Sequence, residues 1–353
     1  MAERAHQAMQ ASGKSRRDAT HPPGASRASA MRGTYAALDL GSNNCRLLIA
    51  RPAGDGFVVI DAFSRIVRLG EGLAASGRLS DAAMDRALAA LTICSDKLKR
   101  RNVTLVRSVA TEACRRAVNG REFVARVLAE TGIRLQIITA EQEARLAVTG
   151  CHALLEPGTG PALVFDIGGG STELVLLDGE RGGAPHVGDW FSAPWGVVSL
   201  SESEPHVGES EAELREAYAR MRARVAEAFA PFAATLRERG VGEGGRLLGT
   251  SGTVTTLASL HLELPNYDRR AVDGLIVPAG AMRGLSQRLA GLDVKARAEL
   301  ACIGNERADL VVAGCAILEA ILDLWPAERL SVADRGIREG ILRTLMAHEL
   351  VRA

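Results

Sequence analysis

A short strand that runs into Asp-x-Gly occurs twice in this chain, and no other feature constrains the fold as much. Tyr35-Ala-Ala-Leu-Asp-Leu stops at Gly41-Ser-Asn-Asn44, and Ala162-Leu-Val-Phe-Asp-Ile stops at Gly168-Gly-Gly170. Both are apolar runs of strand length, ended by residues that favour turns. The segments beyond the two turns are alike as well. After the first turn come strands at 45–50 and 57–62, at hairpin spacing. Ser80-Asp81 then caps a helix with Met84, Leu88, Leu91, Cys94 and Leu98 on one face. A strand at 103–109, a helix at 121–130 ended by Gly132 and a strand at 133–138 come next. Thr139-x-x-Gln142 opens the next helix as a capping box, completing a β-β-β-α-β-α-β-α order.

The second run resumes with a strand at 172–177 and a long helical stretch at 211–239, broken near Pro231. A strand at 246–248 leads to the turn Gly249-Thr-Ser-Gly252 and several helices. That turn reads equally as a phosphate cradle at a helix start and as a plain helix cap. A strand at 330–333 and a helix at 337–350 close the chain. The length of 353 residues accommodates two domains of about 150 residues each. The expected architecture is therefore α/β, with two duplicated domains facing a cleft and both Asp-x-Gly turns at its mouth. The division expected is a disordered extension over 1–33, a first domain over 34–145 and a second over 146–353.

Charge and composition narrow the class. The first 34 residues carry six Lys or Arg against Glu3 and Asp18, in a chain whose net charge is +1. The folded body is thus slightly acidic, which argues against a protein that coats nucleic acid. The basic opening has no apolar core of the kind a secretory signal needs, and its Ala, Ser, Arg and Gly content reads as disorder. No uncharged apolar stretch is long enough to span a membrane. The six cysteines, at 45, 94, 114, 151, 302 and 315, contain no C-x-x-C pair and fit neither zinc nor a disulfide framework. They read as reduced thiols of a cytoplasmic protein.

The two turns carry the chemistry. An Asp at the end of a buried strand can hold a divalent cation, directly or through water. Glycines allow successive N–H groups to approach phosphate oxygens, and Ser and Thr add hydroxyl donors. A single Asp-x-Gly is best read as a plain hairpin turn. Two copies at matching places favour a phosphate site.

Six motifs in order make the chain resemble a known family. They are Asp39-Leu-Gly-Ser-Asn43, Ala110-Thr-Glu-Ala-Cys-Arg115, Glu141-Gln-Glu-Ala-Arg145, Asp166-Ile-Gly-Gly-Gly-Ser-Thr-Glu173, Gly249-Thr-Ser-Gly-Thr253 and Asp334-Arg-Gly-Ile-Arg-Glu-Gly340. The set is similar to the Ppx/GppA phosphatases, exopolyphosphatases and guanosine pentaphosphate phosphohydrolases. They have two ribonuclease H-like domains of the actin/sugar kinase/Hsp70 superfamily. Longer members carry an added HD-like helical domain, so the expectation here is the short two-domain form.

The resemblance implies roles residue by residue. Glu143 matches the catalytic glutamate that aligns and deprotonates the attacking water. Asp166 and Glu173 match acidic residues at a magnesium and water site, with Asp39 assisting. Gly168, Gly169, Gly170, Ser171 and Thr172 match the phosphate loop, and Ser42 and Asn43 its partner across the cleft. Arg46, Arg115 and Arg307 match arginines that hold phosphates. The implied substrates are inorganic polyphosphate or guanosine penta- and tetraphosphate. The implied cofactor is Mg²⁺, with Mn²⁺ sharing its preference for oxygen ligands. Relatives often form homodimers. Other readings are a phosphotransferase of the same superfamily and a non-catalytic sensor of alarmone or polyphosphate. The presence of Glu143 and Asp166 favours the hydrolase. One departure stands out: Val272-Asp273-Gly274 replaces the Val-His-Gly of many relatives.

Overall fold

The computed structural model describes residues 33–352 apart from 55, 182–183 and 242–244. The extension expected over 1–33 lies, but for Gly33, outside the described residues. The first half contains β1 (Tyr35–Leu40), β2 (Asn44–Ala53), β3 (Gly56–Ile66), β4 (Leu105–Ala110) and β5 (Leu135–Ile137). Its helices are α1 (Leu73–Ser76), α2 (Asp81–Arg100), α3 (Glu112–Arg116), α4 (Gly120–Thr131) and α5 (Ala140–Cys151). The second half has β6 (Ala162–Ile167), β7 (Thr172–Arg181), β8 (Ala184–Ala193), β9 (Arg246–Thr250), β10 (Ile276–Pro278) and β11 (Arg329–Ala333). Its helices begin with α6 (Val197–Ser203), α7 (Glu211–Glu238), α8 (Gly252–His261) and α9 (Arg269–Val272). They end with α10 (Ala279–Ala290), α11 (Val294–Ala298), α12 (Val311–Leu324) and α13 (Ile337–Arg352).

The expected duplication is present in the sheets. The first has the order β3-β2-β1-β4-β5. The second, read from its β8 edge, is β8-β7-β6-β9-β11 with β10 added beyond. In each, the opening strand lies antiparallel to the next and parallel to the fourth. Both opening strands are buried on two faces, so their apolar runs are continuous. Ala36, Leu38 and Leu40 pack into one core and Tyr35 and Ala37 into another. Leu163, Phe165 and Ile167 divide from Ala162 and Val164 in the same way.

Two long helices are exchanged between the halves. Helix α5 sends Ala144, Val148 and Cys151 against the second sheet, beside Ala162, Val164 and Val175. Helix α13 places Ile337, Ile341 and Leu342 against Tyr35, Ala37 and Leu48 of the first. Where they cross, a Cβ on Gly150 would stand 2.0 Å from the Gly336 carbonyl oxygen. One on Gly340 would stand 2.0 Å from that of Leu146. Only hydrogen fits at either position. The boundary expected at 145/146 falls inside α5.

Three local expectations change. The helix at 211–239 is not broken at Pro231 but runs unbroken as α7. Proline loses one N–H bond there, while Phe229, Phe232 and Leu236 on either side are buried in the core. The strand at 133–138 shortens to β5. Strand β8 has no counterpart in the sequence pattern, since Pro185, Gly188 and Asp189 obscure its alternation.

Candidate active site

The same turn is built twice. The Gly41 N–H donates to the Asn44 carbonyl at 2.9 Å, and the Gly168 N–H to the Ser171 carbonyl at 2.9 Å. The two turns meet. A Cβ on Gly169 would lie 2.8 Å from the Asn43 nitrogen and 3.0 Å from Ser42 Cβ, so glycine is what allows the contact. Around it opens a cleft between the two halves. Asp39, Ser42, Asn43, Arg46, Glu143, Asp166, Gly168, Gly169, Gly170, Ser171 and Arg307 all line it.

Register makes the halves unequal. Asp39 faces Arg46 across its ladder, whereas Asp166 faces Glu173 across the matching one. The first aspartate thus has a cationic neighbour and the second a like charge. Burial raises the pKa of Asp39, an effect that Arg46 and Arg338 oppose. Asp166 is pushed up to about 7, by burial first and then by the charges of Glu143 and Asp39. Glu173 also rises to about 7, through burial and the charge of Asp166.

Glu143 joins this group from the first turn of α5, which the expected capping box starts. The Gln142 N–H donates to Thr139 Oγ1 at 3.2 Å and the Thr139 N–H to Gln142 Oε1 at 3.1 Å. Glu143 is only 7% exposed. Burial and the nearby Glu173 hold its pKa well above the usual range, and Arg115 opposes them. Arg115 Nη1 donates to Glu143 Oε2 at 3.0 Å and to the Ile138 carbonyl at 2.9 Å, while Nη2 reaches Glu112 Oε2 at 2.8 Å. The guanidinium thus bridges Glu143 and Glu112 and holds Glu143 Oε2 in place.

Three of the expected residues stand behind the cleft wall. Arg115 lines an adjoining recess with Glu112, Ser171 and Trp190. Glu173 accepts from Ser171 Oγ at 2.7 Å and Ser192 Oγ at 3.0 Å. Thr172 Oγ1 donates to the Trp195 carbonyl at 2.7 Å. Their placement braces the loop.

The cleft also holds residues to which the sequence assigns no role, Thr111 and Glu112 beside the first turn and Thr253 and Thr256 on α8. Ser251 and Gly252 of the Gly249-Thr-Ser-Gly252 turn line it as well. Ser251 caps α8, accepting from the Val254 N–H at 3.0 Å, and also borders the cleft, so both readings of the Gly249-Thr-Ser-Gly turn have support. Asp273, the departure from Val-His-Gly, accepts from the Asp334 N–H at 3.0 Å and Arg335 Nε at 2.7 Å. It anchors the turn that starts α13.

The donor set suits a hard divalent cation. Asp39 Oδ1 is buried without a hydrogen-bond partner, and the charge of Asp39 raises the pKa of both Asp166 and Glu143, a repulsion that a cation among them would relieve. Among the described residues no group of three or more His, Cys, Asp and Glu forms a ready metal cage. Mg²⁺ is ordinarily held by one or two carboxylates together with water and substrate phosphates, so these residues fit it. No helix of the described residues is long and apolar enough to cross a membrane.

Comparison with known proteins agrees with this geometry. The Ppx/GppA phosphatase family profile matches residues 48–349. Exopolyphosphatase 2 of Mycobacterium tuberculosis is 33% identical over 324 residues, which span 88% of this chain and 98% of its own. The Aquifex aeolicus PPX-GPPA enzyme superposes with a TM-score of 0.71 at 29% identity, covering 88% of this chain and 99% of that one. An exopolyphosphatase from Cytophaga hutchinsonii, 23% identical, shares the fold at a TM-score of 0.78 over 89% of this chain and 98% of its own. With the family profile matching residues 48–349 and a curated relative 33% identical over 88% of the chain, the chain belongs to the Ppx/GppA phosphatase family of phosphoanhydride hydrolases.

Proposed function

We propose that this enzyme removes terminal orthophosphate from inorganic polyphosphate by attack of a water that Glu143 aligns and deprotonates. The observation that carries the reading is the meeting of Glu143 and Asp166 with both phosphate turns in one cleft. Hydrolysis of a phosphoanhydride needs the terminal phosphoryl neutralised and a water held in line. The backbone and hydroxyls of Ser42, Asn43 and 168–171 supply the cradle, and Arg46 and Arg307 supply guanidinium forks. Glu143 takes the proton of the water as its oxygen bonds to phosphorus. The bridging P–O bond then breaks, leaving a chain shorter by one phosphate. Mg²⁺, held by Asp166 and Asp39 with Glu173 supporting the loop behind, would neutralise charge on the phosphoryl oxygens. The name of the M. tuberculosis relative supports polyphosphate as the substrate.

The test is orthophosphate release from polyphosphate and, separately, from guanosine pentaphosphate, with Mg²⁺ present. Wild type is run beside Glu143→Ala. The expected result is release from polyphosphate that falls at least a hundredfold in the variant while binding persists. Faster release from guanosine pentaphosphate would reassign the substrate. No release from either, with binding intact, would replace the hydrolase by a sensor.

A further inference from the structure

A residue with a strained backbone joins the first phosphate turn to the second half of the molecule. Arg68, just beyond β3, has φ 46°, in the left-handed region that non-glycine residues rarely occupy. The conformation lets two successive amides share one acceptor. The Val67 and Arg68 N–H groups both donate to the Asn43 carbonyl, at 2.8 and 3.0 Å, and the Gly70 N–H donates to the Ser42 carbonyl at 2.8 Å. Segment 67–70 therefore moulds the first phosphate turn. Arg86 secures it from the other side, with Nε on the Val67 carbonyl at 2.9 Å and Nη2 on the Arg68 carbonyl at 3.3 Å.

The Arg68 side chain leaves this platform for the second half of the molecule. Its Nη1 stands 2.8 Å from Asp309 Oδ2. Its Nη2 donates to Asp309 Oδ1 at 3.1 Å and to the Glu306 carbonyl at 3.4 Å. Between those two acceptors in the chain is Arg307, which lines the cleft and donates to Thr256 Oγ1 at 3.3 Å. A second crossing bond runs beside it, from the Gly72 N–H to Glu202 Oε1 at 2.8 Å. The exchanged helices join the halves elsewhere, at Gly150 and Gly340.

We propose that Arg68 and Asp309 are an interlobe clamp, a positioning pair that sets the span between the Ser42-Asn43 turn and Arg307. The inference rests on the polyphosphate reading above, since it supposes that both sides grip one polyanion. Strained backbone persists where the surroundings over-determine it, and here the Asn43 carbonyl and Asp309 both hold Arg68. The forked guanidinium–carboxylate geometry fixes direction as well as distance. Both side chains are about one-third exposed, so the pair contributes little to global stability. Its position is what gives it consequence. Breaking it loosens the phosphate-binding edges and leaves Glu143, Asp166 and Asp39 in place.

The variants are Arg68→Gln, Asp309→Asn and the reversal Arg68→Asp with Asp309→Arg, assayed by orthophosphate release from polyphosphate with Mg²⁺. Each single variant should raise KM about threefold to tenfold, the scale of one ionic contact, with kcat within twofold of wild type. The reversal should recover most of the KM. Amide hydrogen exchange without substrate supplies a readout independent of turnover. Asp309→Asn should speed exchange at Val67, Arg68 and Gly70 several-fold, with the melting temperature nearly unchanged. A lower KM in Asp309→Asn would overturn the clamp and make Arg68 a phosphate ligand released by the change. Unchanged KM and exchange would also overturn it. A wild type that does not hydrolyse polyphosphate would refute the function instead, and exchange would still judge the clamp.

Discussion

Replacing Asp166 by Asn should stabilise the fold at pH 8 while abolishing activity. Asp166 has a pKa of about 7 against an ordinary 3.8, and Glu173 about 7 against 4.5. Both are raised, so between roughly pH 4 and 7 the folded state binds more protons than the unfolded chain. Stability then falls as pH rises through that window and is lowest above it. Each pKa unit corresponds to about 1.4 kcal/mol, which puts the cost of ionising Asp166 above pH 7 near 4 kcal/mol with its neighbours charged. Relaxation and water penetration reduce what the variant recovers, to about 2 kcal/mol. For lobes of this size that is a rise of about 4 °C or more in melting temperature. The assay is thermal unfolding of wild type and Asp166→Asn in EDTA at pH 5.5 and pH 8. The gain should be large at pH 8 and small at pH 5.5, and Mg²⁺ at pH 8 should stabilise wild type more than the variant. A variant that melts at or below wild type at pH 8 would refute the claim that buried like charges oppose the fold here.

Gly340→Ala should cost about 3 kcal/mol in denaturant unfolding, because its methyl would overlap the Leu146 carbonyl. Gly284→Ala on α10, where a Cβ meets nothing within 4 Å, should be neutral or stabilising by up to about 1 kcal/mol. Arg115→Met removes a cation that lowers the pKa of Glu143, so the acidic limb of the rate profile should move to higher pH, with more loss at pH 6 than at pH 8. Thiol titration of the native protein should find one fast group, Cys302, with the other five cysteines reacting only on unfolding, since they are buried.

The duplicated frame was legible because each half repeats a local code. Strands β1 and β6 are short apolar runs ended by Asp-x-Gly, and the α5 capping box is written at fixed spacing in Thr139 and Gln142. What escaped the sequence depends on contacts between distant residues. Strand β8 holds its place through its ladder with β7 despite Pro185 and Gly188. Helix α7 passes Pro231 because the aromatic rings around it are buried in the core. Glu143 looks like any acid in a first helical turn, where the backbone dipole favours one. Only resemblance to a family singled it out, and only the folded chain sets it beside Asp166. Arg68 gave no local signal, since its carboxylate partner is 241 positions away.

The asymmetry of the two hairpins gives the duplication its chemical use. A pair of identical halves would set either two arginines or two acids opposite the strand-ending aspartates. Arginine at both places would neutralise Asp39 and Asp166 alike and hold phosphate firmly, but would leave no charge to attract a cation. Acid at both would repel the polyanion before any water could be positioned. Arg46 opposite Asp39 and Glu173 opposite Asp166 divide the tasks within one cleft. The first turn offers a cation to an incoming anion, and under the proposed function the second gathers the acids that would hold a metal ion. Contact between the turns at Gly169 keeps these opposed fields adjacent, where one terminal phosphoryl group would be exposed to both.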